Sequence, residues 1–298
     1  MNSRWSVRRV TRLGFLTAAG TALFVLESLI PLPLPFLKVG LANISTLLAL
    51  LVGGPADALS VVFLRVCAGS LVTGSFLGPA FILAMTAGIV SAGVMALVRA
   101  ATGRLFGPLG ISLAGSTAHV CTQMALVILL YVRSAAVAGL LPALLATALV
   151  GGTVVGLVTS RLLGALPPDA GAGSSTPARR LTAGDAVAGI LLAAAVAASF
   201  ALVPGADGST VLVDVAGKTV EKLDLRENGT VTVRGEKGEL TIEVRDGRVR
   251  VAEADCPNRI CVRTGWRSRG GDVIVCVPNR AIVRILGKDN TVVGGITG

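Results

Sequence analysis

Residues 183–203 read AGDAVAGILLAAAVAASFALV, twenty-one residues with one acid, Asp185, and no base. A helix needs about 20 apolar residues to cross a hydrocarbon core of about 30 Å, so this stretch is long enough to span. The chain changes character across it. Residues 1–204 hold only four acids, Glu27, Asp57, Asp169 and Asp185, and residues 205–298 hold the other thirteen. We therefore read residues 184–204 as a tether helix joining two regions of different build. The mean hydropathy of +0.77, with 53% hydrophobic and 15% charged residues, exceeds what a soluble chain of this length carries. The excess must face lipid.

Upstream of the tether, apolar runs predict helices near 13–30, 56–73, 78–98, 109–132 and 137–160, with a shorter apolar segment at 39–53. The short segment fits a tilted, broken or re-entrant element. Residues 1–165 thus form a six-segment membrane body. Residues 166–183, which begin LPPDAGAGSSTPARRLT, lack apolar periodicity and read as a cytoplasmic linker.

The net charge of +10 would suggest nucleic-acid binding in a soluble protein, but its distribution excludes that reading. Residues 1–204 carry twelve Lys and Arg against four acids, and residues 205–298 carry fifteen against thirteen. The basicity belongs to the membrane region. With seven crossings, Arg4, Arg8, Arg9, Arg12, Arg99, Arg104, Arg161, Arg179 and Arg180 fall on one side, and Lys38 and Arg133 on the other. The positive-inside rule then predicts a cytoplasmic N-terminus and an extracytoplasmic region after about residue 204. The N-terminal segment lacks a small-residue cleavage site before Glu27 and is expected to stay in the membrane.

From Ser209 the pattern shortens to TVLVDV, TVEKLDL, GTVTVRG, GELTIEVRDG, RVRVAEA, DVIVCVP and AIVRILG, with turn pairs at Asn228-Gly229 and Asp246-Gly247. These are strand and hairpin signals. Seven short strands in residues 205–298 predict a small all-β barrel or sandwich. The expected fold class is an α-helical polytopic membrane protein with a small all-β extracytoplasmic domain.

Polar residues inside the apolar segments are the candidates for function. Arg65 sits in the middle of ADALSVVFLRVCAGSLVTG, two turns after Asp57. A central arginine costs about 2.5–3.5 kcal/mol on insertion scales, so it is expected to face the bundle interior with a partner. A buried ion pair with Glu27 and the binding of an anionic group are both open. His119 and Gln123 are four apart and share a helical face, and Asn43 is a further cavity-lining candidate. A lone histidine is more often an interhelical hydrogen-bond partner than a metal ligand, so no metal site is expected there. The many glycines of the first six segments suit close helix packing.

Cys67 and Cys121 lie within helices and read as small apolar residues. Cys256, Cys261 and Cys276 fall in the β domain, where the predicted compartment permits disulfides. A stapling disulfide leaves one thiol over, and redox relay, metal or cofactor attachment are the competing uses. Cys256–Cys261 is the favoured pair, because Pro257-Asn258 between them is turn-forming. Phosphate-loop, H-E-x-x-H, G-x-S-x-G, D-D-x-x-D and C-x-x-C-H motifs are absent from the sequence, which argues against an autonomous ATPase, prenyl synthase or haem protein.

The blocks ESLIPLPLPFLKVGLANISTLLAL (27–50), LRVCAGSLVTGSFLGPAF (64–81) and LAGSTAHVCTQ (113–123) resemble the Gx transporter family, also labelled heptaprenyl diphosphate synthase component I. That family is similar in architecture to the substrate-binding components of energy-coupling-factor vitamin transporters. The resemblance places Glu27, Asn43, Arg65 and His119 on positions its pattern favours. The run AEADCPNRICVRTGWRSRGGDVIVCVPNRAIVRI (252–285) looks like the NusG domain II family, in its cysteine-bearing form. Together the two resemble the paired membrane proteins of flavin-based extracellular electron transfer.

The resemblance implies an electron-transfer component working with membrane redox proteins, with a quinone or a non-covalent flavin as carrier. No D-x-x-[SG]-A-[ST] flavinylation motif occurs, so covalent flavin would belong to a partner. The alternatives are a transporter subunit served by an ATPase module in trans, and an accessory subunit of heptaprenyl diphosphate synthase. The implied partners are the lipid bilayer and proteins within it, with no nucleic acid.

Overall fold

The computed structural model describes residues 7–29, 40–103, 105–132, 140–166, 181–202, 207–257 and 259–287. Arg4, Lys38, Arg104, Arg133, Arg179, Arg180, Asn258 and most of the linker lie outside the described residues.

The helical part consists of α1 (Val7–Leu29), α2 (Asn43–Gly53), α3 (Pro55–Val72), α4 (Pro79–Thr102), α5 (Pro108–Leu126, continued by a π-helical stretch Val127–Val132), α6 (Leu141–Ala165) and α7 (Ala183–Leu202). Proline opens α3, α4 and α5, at the first-turn position where its missing N–H leaves no hydrogen bond unmade. Six of these helices are long and apolar enough to cross a membrane, and the protein is a multi-pass membrane protein.

The exception is α2. Its eleven residues rise roughly 16 Å, about half of the hydrocarbon core. Every residue from Ser45 to Leu51 is buried. Gly54, at φ 98°, joins α2 directly to Pro55, so the two helices turn tightly at one end. Half-helices with inward termini are tolerated at membrane depth where protein, and not lipid, surrounds them.

Charged contacts define that end of the body. Asp57, fully buried at the start of α3, is held by Arg9 (2.6 Å) and Arg12 (2.8 Å) from α1. Arg99, in the last turn of α4, donates to the Leu50 carbonyl near the end of α2, which also accepts from the Gly54 N–H at 3.0 Å. Asp185 does the same service for amides. Its Oδ1 accepts from the backbone N–H of Gly107 (2.8 Å) and Gly110 (2.7 Å) at the start of α5. Its Oδ2 accepts from Thr182 N–H (2.9 Å), capping α7.

Asp185→Ala would strip three buried or part-buried donors of their acceptor, which should lower stability by about 2 kcal/mol or more. Thermal unfolding in detergent should show it as a clear fall in Tm. An unchanged Tm would mean that this anchoring contributes nothing.

Glycine works here as a packing residue. A Cβ on Gly20 would run into the Ser45 hydroxyl and approach Arg65 Cδ, and one on Gly69 would enter the Phe24 ring. Close approach of α1 to α2 and α3 therefore requires glycine at both places.

Two compact units divide the chain. The first contains α1–α4, α5 as far as Gln123, α6 from Leu144 and α7 as far as Val196. The second contains the strands. These are β1 (Gly208–Val215), β2 (Lys218–Asp224), β3 (Gly229–Arg234), β4 (Glu239–Arg245), β5 (Arg248–Ala254), β6 (Val273–Cys276) and β7 (Ala281–Gly287), with a one-turn helix α8 (Ile260–Arg263) before β6. One antiparallel sheet has the order β2-β1-β7-β6 and the other β3-β4-β5.

Alternating residues of both sheets, among them Val211, Val213, Leu240, Ile242, Val249, Val251 and Val283, form a single core. All seven strands read from the sequence are present. Asp246-Gly247 makes the β4–β5 hairpin with φ values of 51° and 70°, as a type I′ turn requires. Asn228-Gly229 does not make a hairpin, because β2 pairs with β1 and β3 pairs with β4. The buried Leu225 draws the chain after β2 from one sheet to the other.

Candidate functional site

Within the helical unit, the polar residues that lipid cannot accommodate converge. Glu27 (α1), Asn43 (α2), Arg65 (α3), and His119 and Gln123 (α5) all border one small cavity, together with Phe24, Gly40, Ala42, Val66 and Ala84. The cavity holds about 30 Å³, room for about two waters. The five residues proposed from sequence therefore share one place, reached from four different helices.

Arg65 is its centre. The side chain is 3% exposed. Nη2 donates to Asn43 Oδ1 at 2.7 Å, and Glu27 acts on the guanidinium electrostatically. Buried Nε has no hydrogen-bond partner among the described residues. A guanidinium carries five donors in a fixed fork, and leaving one buried and unmet costs about 1–3 kcal/mol.

Glu27 is positioned by the half-helix. Its Oε1 accepts from the backbone N–H of Leu41 at 2.5 Å, just before α2 begins. The positive end of the α2 dipole thus lies beside this carboxylate and the cavity. Asp57 is not part of the site. It lies eight residues before Arg65 on the same helix, about 12 Å along the axis, and is neutralised by Arg9 and Arg12. Asp185, spent on the start of α5, is the buried acid that sequence reasoning did not single out; its place in the first turn of an apolar helix was the available signal.

The second unit holds a separate cluster. Cys256, Cys261 and Cys276 are 6%, 1% and 3% exposed, and their Sγ atoms lie within 4.8 Å of one another. All three are free thiols. The Cys256–Cys261 disulfide favoured from spacing is not formed here, the two sulfurs standing in non-bonded contact at 3.6 Å.

The thiols share protons unequally. Hydrogen bonding from Cys261, helped by the Asn279 backbone and side chain, lowers Cys276 to about 6 against the opposing effect of burial. Cys261 is pushed up, first because it donates to Cys276 and then by burial. Burial also pushes Cys256 up, as does the neighbouring Cys276 charge. Thiolate character therefore concentrates on Cys276.

Comparisons with known proteins divide the chain along the same lines. Residues 16–162 match the family model described as heptaprenyl diphosphate synthase component I, and residues 186–289 match NusG domain II. An uncharacterized protein of Treponema pallidum is 34% identical over 65 residues, which are 22% of this chain and 45% of that relative. The chain thus spans less than half the length of that curated relative.

Among solved structures, a DUF1312 family protein from Ruminococcus gnavus is 28% identical, covering 26% of this chain and 99% of its own, with a TM-score of 0.25. The Lin0431 protein from Listeria innocua is 29% identical, covering 28% and 99%, with a TM-score of 0.26. A DUF1312 family protein from Enterococcus faecalis is 29% identical, covering 27% and 98%, also at 0.26. By the two family matches, the chain is a fusion of a heptaprenyl diphosphate synthase component I segment with a NusG domain II.

Proposed function

We propose that this protein is a membrane component of quinone- or flavin-linked extracellular electron transfer, in which the helical body binds the carrier by its polar head. The observation that carries this reading is the Arg65 cavity. Helices α1–α7 contain three acids, Glu27, Asp57 and Asp185, and the chain has one histidine. Asp57 and Asp185 are engaged by arginines and backbone amides.

Glu27 and His119 both border the cavity beside Arg65. A quinol that delivers two electrons must also release two protons. A site serving it needs donors for the carrier's oxygens and groups that exchange protons, and Arg65, Glu27 and His119 supply both kinds. The cavity is small, so the fit is to a carbonyl-bearing edge with the remainder of the carrier reaching toward lipid.

We further propose a cytoplasmic N-terminus, with the strands held outside by α7. Arg9, Arg12 and Arg99 support this orientation, since their contacts gather them at one end of the body, the end where α7 begins. Membrane redox proteins would be the partners.

A second reading is a small-molecule uptake subunit energised by an ATPase in trans. It is favoured by α2, because half-helix termini at membrane depth are a recurrent way of binding anionic substrates in transporters. Purification in mild detergent followed by mass spectrometry of the retained small molecules separates the two. A quinone or flavin at about one per chain is expected, and a vitamin in its place would replace the first reading by the second.

A further inference from the structure

Cys256 and Cys276 lie in two turns that repeat one local sequence. Cys256 is followed by Pro257-Asn258-Arg259, and Cys276 by Val277-Pro278-Asn279-Arg280. Both arginines adopt the left-handed conformation, φ 45° and 47°. Such a reversal turns backbone N–H groups back onto the preceding sulfur. Arg259 N–H donates to the Cys256 carbonyl at 3.2 Å, and the backbone amides of Arg259 and Asn279 act electrostatically on the Cys256 and Cys276 sulfurs.

The Asn279 side chain adds another donor. Its Oδ1 accepts from Lys237 N–H (3.0 Å), which leaves Nδ2 directed at Cys276 Sγ (3.6 Å). Asn279 is fully buried, so this orientation is locked. Sulfurs surrounded by N–H donors are prepared to be thiolates, and outer-shell donors of this kind orient thiolate ligands around metals.

The spacing fits the same chemistry. Metal–sulfur bonds of about 2.3 Å in a tetrahedron put the ligand sulfurs about 3.8 Å apart. Cys256 and Cys261 stand at 3.6 Å, and all three sulfurs lie within 4.8 Å, so roughly 1 Å of adjustment or less closes the set on one ion. A disulfide would use two of the three and strand the third in the core. An ion uses all of them.

We propose that Cys256, Cys261 and Cys276 form a three-thiolate site for a thiophilic d10 metal ion, Zn²⁺ with an exogenous fourth ligand or three-coordinate Cu⁺. Soft thiolate sets select these ions. Binding displaces the remaining thiol protons to solvent, with no change of sulfur oxidation state. This inference is independent of the carrier proposed for the helical body.

The test uses the full-length protein in detergent, carrying Cys67→Ser and Cys121→Ser to remove the membrane thiols. It is purified anaerobically under a phosphine reductant and desalted. One portion is titrated with Co²⁺ and then Zn²⁺, and another with Cu⁺ against a chromophoric chelator. The expected result is one ion per chain, with a thiolate-to-cobalt charge-transfer band that Zn²⁺ abolishes, or stoichiometric Cu⁺ uptake. Each of Cys256→Ser, Cys261→Ser and Cys276→Ser should weaken binding at least tenfold. Asn279→Ala should retain the stoichiometry and weaken binding 10- to 100-fold.

Uptake in the cobalt and zinc arm alone assigns Zn²⁺, and uptake in the copper arm alone assigns Cu⁺. Absence of uptake in both arms by the reduced, monodisperse parent protein overturns the proposal. So does uptake indifferent to Cys276→Ser, or a disulfide between any two of the three cysteines after anaerobic purification.

Discussion

Replacing Arg65 with leucine should reduce retention of the co-purifying carrier at least tenfold, about 1.4 kcal/mol of binding free energy. Two donors of this guanidinium have defined surroundings. Nη2 meets Asn43 at 2.7 Å, and buried Nε meets nothing among the described residues. An arginine kept at this depth with an unmet donor fits a group reserved for an incoming oxygen. Lysine at the same position should fall between, because it keeps the charge and loses the planar fork. If Arg65 is only a structural partner of Glu27 and Asn43, leucine should leave retention by the folded protein unchanged and lower Tm, since removing one partner of a buried ionic pair leaves the other charge uncompensated. That outcome would remove the cavity from the functional account.

An alkaline phosphatase fused after Gly298 should be active, and a green fluorescent protein fused there should be dark. The expectation combines a charge rule with contacts. Arg9 and Arg12 reach Asp57, Arg99 reaches the end of α2, and the Thr182 hydroxyl reaches the Leu105 carbonyl. The start of α7 is therefore at the arginine-bearing end, and its twenty residues rise about 30 Å, one membrane thickness. A fluorescent fusion with an inactive phosphatase would invert the orientation and put the thiol cluster in a reducing compartment.

How much of this was legible beforehand depends on the solvent each residue faces. The spans could be read from composition because lipid satisfies no backbone hydrogen bond, so any crossing segment must be a long apolar helix. The gathering of Glu27, Asn43, Arg65, His119 and Gln123 was legible for the same reason, since polar groups within such helices are driven inward. In the β region, period-2 alternation marked all seven strands, while the Asn228-Gly229 pair, a good hairpin signal locally, lost to burial of Leu225 between two sheets.

The partners were another matter. Nothing local says that Asp57 answers to Arg9 and Arg12 and not to Arg65, or that Asp185 caps a helix seventy-five residues upstream. The turn after Cys276 could be read from Pro278 and Asn279, but not that the sulfur of Cys276 would meet those of Cys256 and Cys261. Membrane insertion, strand content and the polar inventory were set by the sequence alone, because hydropathy and periodicity are properties of neighbouring residues. Which acid met which arginine, and which sulfurs came together, was decided only by tertiary packing, because those distances depend on how separate elements cross in space.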